Sequence, residues 1–361
     1  MEHKQAVQYF LGANTRNGFF SLYDGFADPE AGDFLYVIKG GPGCGKSTLM
    51  KRVGKAAEDA GLPVEYVLCS GDPDSLDGVW LPALHTGFVD GTAPHVQEAA
   101  YPGASSKYLD MSRFLDDAAL RPRLPEIAAL NRRYKALYAE AYALLAAGAA
   151  LLPRNCPDLW GAAATGKLDK KLAGLASREL PRQNKIPRVK HRFLSAVSCR
   201  GRILLEDSLR DGDNVRLCLL DNALGLGNEY LARLLALAQG RGYDAVVCHD
   251  PLEPGRIEAL LLPEAGLAFL AAEKSPEWLS GPWRHLRLDA LADRDALRAD
   301  RVKQKLRARR KESAALLERA TETLAEAKAL HDELEAIYRP HVDFAGADAL
   351  AEELIHMLLG K

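Results

Sequence analysis

The chain repeats itself, and the repeat limits its possible folds more than any single motif does. Phe10-Leu-Gly-Ala-Asn-Thr-Arg-Asn-Gly18, followed by Asp24, has a counterpart in Phe193-Leu-Ser-Ala-Val-Ser-Cys-Arg-Gly201, followed by Asp207. The Phe, Gly and Asp pairs all lie 183 positions apart. Gly43 and Gly45 face Gly225 and Gly227 at 182, Asp72-Pro73 faces Asp250-Pro251 at 178, and Pro82 and Phe88 face Pro263 and Phe269 at 181. Short insertions and deletions after a tandem duplication leave offsets that drift in this way. The 361 residues therefore read as two copies of a unit of about 180 residues. The expected domains are residues 1–185 and 186–361, with the boundary near Pro181–Pro187, where prolines break helix.

Each copy has the same pattern. A hairpin comes first, over Tyr9–Ala13 and Phe19–Tyr23 around Asn14–Gly18. An apolar strand, Phe34–Lys39, is matched by Val215–Leu220. A glycine-bearing turn leads into a helix, Ser47–Ala60, that stops at Gly61. Strands Val64–Cys69 and Thr86–Val89 are matched by Ala245–Cys248 and Leu267–Leu270. Pro125–Leu152 and Arg298–Tyr338 read as long helices, and each copy ends on a short one, near Leu168–Leu180 and Ala347–Leu359. Strands alternating with helices specify parallel β-α-β units. The expected fold is α/β: two tandem P-loop NTPase-like domains, each a mainly parallel sheet flanked by helices, with added long helices.

Gly40-Gly41-Pro42-Gly43-Cys44-Gly45-Lys46-Ser47 matches G-x-x-x-x-G-K-[ST] at every position, between a strand and a helix. Such a loop suits ATP. Gly41, Gly43 and Gly45 let backbone N–H groups converge on phosphate oxygens, and the helix N-terminus adds its positive dipole end. Lys46 is expected to reach the β- and γ-phosphates, Ser47 to ligate Mg²⁺ and Thr48 to meet a more inward phosphate. Cys44 reads as a small filler, although a helix N-terminus favours thiolate. Asp90, ending the strand Thr86–Val89, is the candidate second Mg²⁺ ligand and catalytic acid; it also reads as part of an Asp-Gly turn. Gly91, not an acid, follows it, so a base for water must come from elsewhere. The cluster Asp72-Pro-Asp74-Ser-Leu-Asp77 reads equally as a solvated turn or as a group serving Mg²⁺ or substrate. Thr92 and His95 are candidate γ-phosphate sensors. The hairpin turn Asn14–Gly18 either covers adenine or is a β-turn built from Asn and Gly.

The second copy has lost this chemistry. It reads Asp221-Asn-Ala-Leu-Gly225-Leu-Gly227-Asn228-Glu229, with Asn228 in place of the lysine, Glu229 in place of the serine, and Ala271 where Asp90 stands. One nucleotide per chain is expected, with the second copy acting as scaffold, regulator or interface. Arg200 or Arg202 is a candidate to reach the first site.

The 47 basic and 49 acidic residues nearly cancel, so no global charge draws the chain to nucleic acid or anionic membrane. The basic run Arg301–Lys311 has no interleaved aromatics, which counts against single-strand binding. The longest apolar run, Ala141–Leu152, is too short to span a bilayer and reads as buried helix. Six scattered cysteines, Cys44, Cys69, Cys156, Cys199, Cys218 and Cys248, show no metal or disulfide spacing and suit a reduced, cytoplasmic protein.

Phe10–Asp24, Gly40–Thr48, Asp72–Gly78 and Asp90–His95 together resemble a family of bacterial tandem P-loop ATPases, over nearly the whole chain. The resemblance implies ATP binding and hydrolysis and assigns no substrate. In that family both copies commonly resemble P-loop domains, and here the second departs from the pattern. Two other functions suit the same motifs. One is a kinase for a small metabolite or nucleotide, whose loops resemble Gly40–Lys46, although an arginine-rich lid is missing. The other is a nucleotide-dependent interaction module without turnover. Each needs a small-molecule or protein partner that the motifs do not name.

Overall fold

The computed structural model describes residues 6–93, 97–152, 159–210, 215–279 and 281–360. In the first copy, β1 (Val7–Tyr9) precedes a hairpin of β2 (Gly12–Thr15) and β3 (Gly18–Ser21). Then come β4 (Phe34–Lys39), α1 (Lys46–Asp59), β5 (Glu65–Leu68), β6 (Leu76–Leu81), β7 (Thr86–Asp90) and β8 (Ser106–Asp110). Helices α2 (Asp117–Leu120), α3 (Leu124–Leu151) and α4 (Gly161–Glu179) follow. The second copy repeats the series: β9 (Val189–Arg192), the hairpin β10 (Ser195–Ser198) and β11 (Gly201–Leu204), β12 (Arg216–Asp221) and α5 (Leu226–Gln239). It continues with β13 (Ala245–His249), β14 (Ile257–Leu262), β15 (Leu267–Ala272) and β16 (Arg284–Leu286), then α6 (Arg294–Arg298), α7 (Val302–Tyr338) and α8 (Phe344–Leu359).

The two six-stranded sheets have the same order, β1-β5-β6-β7-β4-β8 and β9-β13-β14-β15-β12-β16. In each, one strand runs antiparallel to both neighbours, β6 in the first and β14 in the second. The other pairings are parallel. The fold class is the expected one: α/β, with two similar, mostly parallel sheets flanked by helices.

The antiparallel strand was hidden in the sequence. Leu76-Asp-Gly-Val-Trp-Leu81 reads as the tail of an Asp-rich turn, yet all six residues are buried in the sheet. A strand covered on both faces loses the alternating pattern that marks a half-exposed one. Its ladder carries a bulge that the duplication preserved: Val67 and Leu68 face Gly78 and Leu76, and Cys248 and His249 face Ala259 and Ile257. The extra residue is an acid in both copies, Asp77 or Glu258, 4% and 6% exposed. The hairpin is also narrower than expected, because Tyr9 belongs to β1, paired in parallel with β5.

The chain divides into two compact units. One comprises Met1–Ala143, Ser195–Ile203 and Arg319–Lys361; the other comprises Leu144–Leu194 and Leu204–Glu318. In the first unit, alternate residues of β4 serve opposite faces. Tyr36 and Ile38 pack with Met50 and Val53 of α1 and Leu350 and Leu354 of α8. Val37 packs on the other face with Tyr23, Phe26 and Trp80. In the second unit, α4 and α5 cover one sheet face through Leu168, Leu172, Leu231 and Leu234. Among the described residues, no helix is long and apolar enough to cross a membrane. The run Ala141–Leu152 lies largely in α3, with Ala141, Leu145 and Ala149 buried.

Candidate functional site

Everything between β4 and α1 serves the loop. Gly43 and Gly45 take left-handed backbone angles, φ 67° and 92°, which L side chains rarely adopt. Gly45 caps α1, which begins at Lys46. Lys46 lies along the loop, its Nζ donating to the Gly40 and Gly41 carbonyls at 3.1 and 2.9 Å. The same ammonium is 3.6 Å from Asp90 Oδ2, with both side chains under 15% exposed. Ser47 Oγ accepts from the Leu76 N–H at 2.9 Å, tying the first turn of α1 to β6. Cys44 is buried, and burial raises its thiol against the pull of Lys46, so it fills space rather than offering a thiolate.

Thr92 lines the cavity over the loop. Its N–H and hydroxyl both donate to Asp90 Oδ1, at 2.8 and 2.5 Å, and fix that carboxylate. Gly91 allows no side chain: a Cβ there would lie 2.5 Å from Val37 Cγ1. An acid directly after Asp90 would have no room. His95 falls outside the described residues.

A cavity of about 440 Å³ opens over the loop. Gly40, Gly43, Cys44, Gly45, Lys46, Ser47, Thr48 and Asp90 line it, and Gly41 sits beside Tyr338. Asp72 and Asp77 also line it. Asp72 is built into its own turn by Asp74 N–H and Ser75 and meets Lys328 at 3.4 Å. Asp77 accepts from Tyr23 Oη at 3.1 Å, and burial beside this acid pushes the Tyr23 hydroxyl well up. Asp74 faces outward, paired with Arg200. Arg200 is thus taken up at the rim, and Arg202 donates to Ser195.

Three further residues on the cavity wall come from the far end of the chain: His331, Glu335 and Arg339. A Cβ on Gly43 would meet Glu335 Cβ at 3.3 Å and Arg339 Cγ at 3.1 Å, so this stretch lies directly on the loop. His331 Nδ1 is 3.7 Å from Glu335 and its ring packs on Tyr134. Arg339 makes no ion pair among the described residues. Their spacing of four places them on one helix face, but an acid or base on a long charged helix is usually only a solvated face. Nothing local in the chain singles them out.

Asn14 does not approach the loop cavity. It is buried, and its Nδ2 donates to Val197 at 2.9 Å, while its Oδ1 accepts from Tyr142 at 3.2 Å. Asn14 thus bonds its own repeat equivalent, 183 residues away.

The second loop is closed from within. Gly225 keeps its left-handed φ of 85°, but α5 begins at Leu226, so Gly227 lies inside the helix. Asn228, matched to the lysine in the sequence register, is the third residue of α5 where Lys46 is the first of α1; it is clasped to Asn222 in both directions, at 3.0 and 3.2 Å. Glu229 pairs with Arg233 at 2.7 Å, so its charge is partly spent locally. The Asp289 carboxylate accepts from the Ala223 and Leu224 N–H groups at 2.9 and 3.1 Å. Burial nonetheless raises the Asp289 carboxyl above its usual range. Lys303, Arg307 and Arg310, from the basic run, line the cavity beside it. Replacing Asp289 with alanine is expected to lower stability by about 1–2 kcal/mol, because two backbone donors lose their acceptor. Urea unfolding of the full chain measures it, and an unchanged midpoint would remove Asp289 from this role.

The donor set at the first loop fits Mg²⁺ with ATP. A carboxylate and a hydroxyl are hard oxygen ligands, and Mg²⁺ takes few protein ligands because it keeps its waters. The five cysteines among the described residues are free thiols; Cys156 lies outside them. No family model, curated protein or solved structure matches the chain.

Proposed function

We propose that the first loop binds Mg-ATP and hydrolyses it, with one nucleotide per chain. One observation carries the reading: the doubly left-handed loop holds Lys46, Ser47 and Asp90 around a single cavity. Phosphate oxygens would replace the Gly40 and Gly41 carbonyls as partners of Lys46, a flexible cation already at the loop. Ser47 and Asp90 would hold Mg²⁺, which when bound offsets phosphate charge. Thr92 fixes the Asp90 carboxylate. Glu335 is the side chain placed to take a proton from water, supplying the base that Gly91 has no room to carry.

Glu335→Gln is expected to slow phosphate release at least about 100-fold, the lower range for a general base, with ATP affinity equal or tighter because a like charge is removed. Calorimetric titration with ATP and Mg²⁺ is expected to give one site, and Asn228→Ala to leave that number unchanged. Two sites, or turnover untouched by Glu335→Gln, would overturn the corresponding part. ATP consumption only in the presence of an added metabolite would replace hydrolysis by kinase activity.

A further inference from the structure

A second concave site lies in the second unit, lined by none of the residues of its own loop. Lys170, Lys171 and Arg178 of α4 and Arg284 of β16 line a cavity of about 220 Å³. Its remaining walls include Tyr230 and Trp283, and among the described residues no acid lines it. In a chain of net charge −2, four cations without a carboxylate form a local excess, and a cleft of one charge sign concentrates potential for the opposite one.

The acids nearby are already engaged. Asp169 pairs with Arg233 at 2.7 Å, and Glu179 pairs with Arg216 at 2.9 Å. Lys170, Lys171, Arg178 and Arg284 have no ion pair among the described residues. The repeat supplies a comparison. In the first unit, the helix packed on α1 is α8, and its Asp348 and Glu352 neutralise Arg52 of α1. Helix α4 supplies the matching acid, Asp169 to Arg233 of α5, and carries Lys170, Lys171 and Arg178 besides.

Two guanidiniums are also held in place. Arg284 stacks on the Trp283 ring, 4.2 Å from its centroid, with Arg216 4.5 Å from the same ring. A stacked guanidinium keeps its in-plane N–H edge free for a bidentate oxyanion. Arg178 folds back over Gly174, where a Cβ would meet its Nη1 at 3.3 Å. A mid-helix glycine lowers helix propensity, and here it leaves the space that the guanidinium occupies.

We infer that this cavity binds the phosphorylated end of a small organic molecule, with Arg178 and Arg284 gripping the phosphate and Tyr230 bordering the apolar part. Its volume is below the roughly 300–1,000 Å³ of sites that enclose a whole drug-sized ligand, as expected for one end of such a molecule.

The test uses the full chain carrying Lys46→Ala, which disables the loop, titrated with phenyl phosphate and separately with vesicles of phosphatidylcholine and phosphatidylserine. Saturable binding of one phenyl phosphate per chain is expected. Arg284→Gln and Arg178→Gln should each weaken it about tenfold or more, and Lys311→Gln should not. If loss of the Trp283 stack unfolds the chain, Lys170→Gln with Lys171→Gln, both exposed, gives the same reading. No saturable binding, equal weakening by Lys311→Gln, or binding to vesicles without binding to phenyl phosphate would overturn the assignment. Because the loop is already disabled, failure here leaves the ATP proposal untouched.

Discussion

Replacing Lys46 with alanine is expected to lower ATP affinity by about 100-fold or more and to abolish measurable turnover. The ammonium is the one cation held inside the loop, 12% exposed and bonded only to carbonyls and to Asp90. Removing a single donor aimed at developing charge typically costs about 10²–10³ in rate. The variant should still fold. The two carbonyl bonds are worth about 0.5–1.5 kcal/mol each, and Asp90 keeps both bonds from Thr92. Thermal shift separates the two effects. At a hundredfold excess over Kd, ATP stabilises the parent by about 2.7 kcal/mol, and the variant should gain almost nothing. Parent-like affinity and turnover in the variant would end the assignment of the site.

A fragment comprising residues 1–185 is expected not to fold as a stable domain, although it contains the whole first sheet and the whole loop motif. Its unit includes Arg319–Lys361. Without that stretch, the sheet face of Tyr36, Ile38 and Phe88 loses Leu350 and Leu354, and Leu130 of α3 loses Leu330, Leu334 and Ile337. At about 1.5–3 kcal/mol for each large apolar side chain buried, the loss is comparable to the 5–15 kcal/mol that holds an ordinary protein folded. Circular dichroism during heating tests this. A cooperative transition near that of the full chain would show that the C-terminal stretch is dispensable.

Lys46, Ser47 and the glycines were legible because they are contiguous. The loop is one strand, one turn and one helix start, so its shape is written in eight adjacent letters. The duplication was legible for a similar reason, since a hairpin and a Pro-initiated turn leave fixed letters behind. Strand β6 was not, because a fully covered antiparallel strand carrying Asp77 and Gly78 follows no alternation. Glu335 and Arg339 were illegible for a different reason. Only the tertiary fold brings them to Gly43, nearly three hundred positions away, and nothing local distinguishes them from other charges on α7. Asp289 was overlooked because its role depends on the amides it meets, not on its neighbours in the chain.

The early start of α5 separates the second loop from the first in backbone as well as in letters. Once Gly227 is wound into the helix, its Cα faces Asn222, and a Cβ would lie 3.0 Å from both that side chain and the Asp221 carbonyl. Restoring lysine at Asn228 and serine at Glu229 would put the right letters back on the wrong backbone, with Asp289 still seated on the amides. Residues 40–45 separate β4 from α1, but only residues 222–225 separate β12 from α5, so substitutions alone cannot rebuild the first loop's length in the second copy.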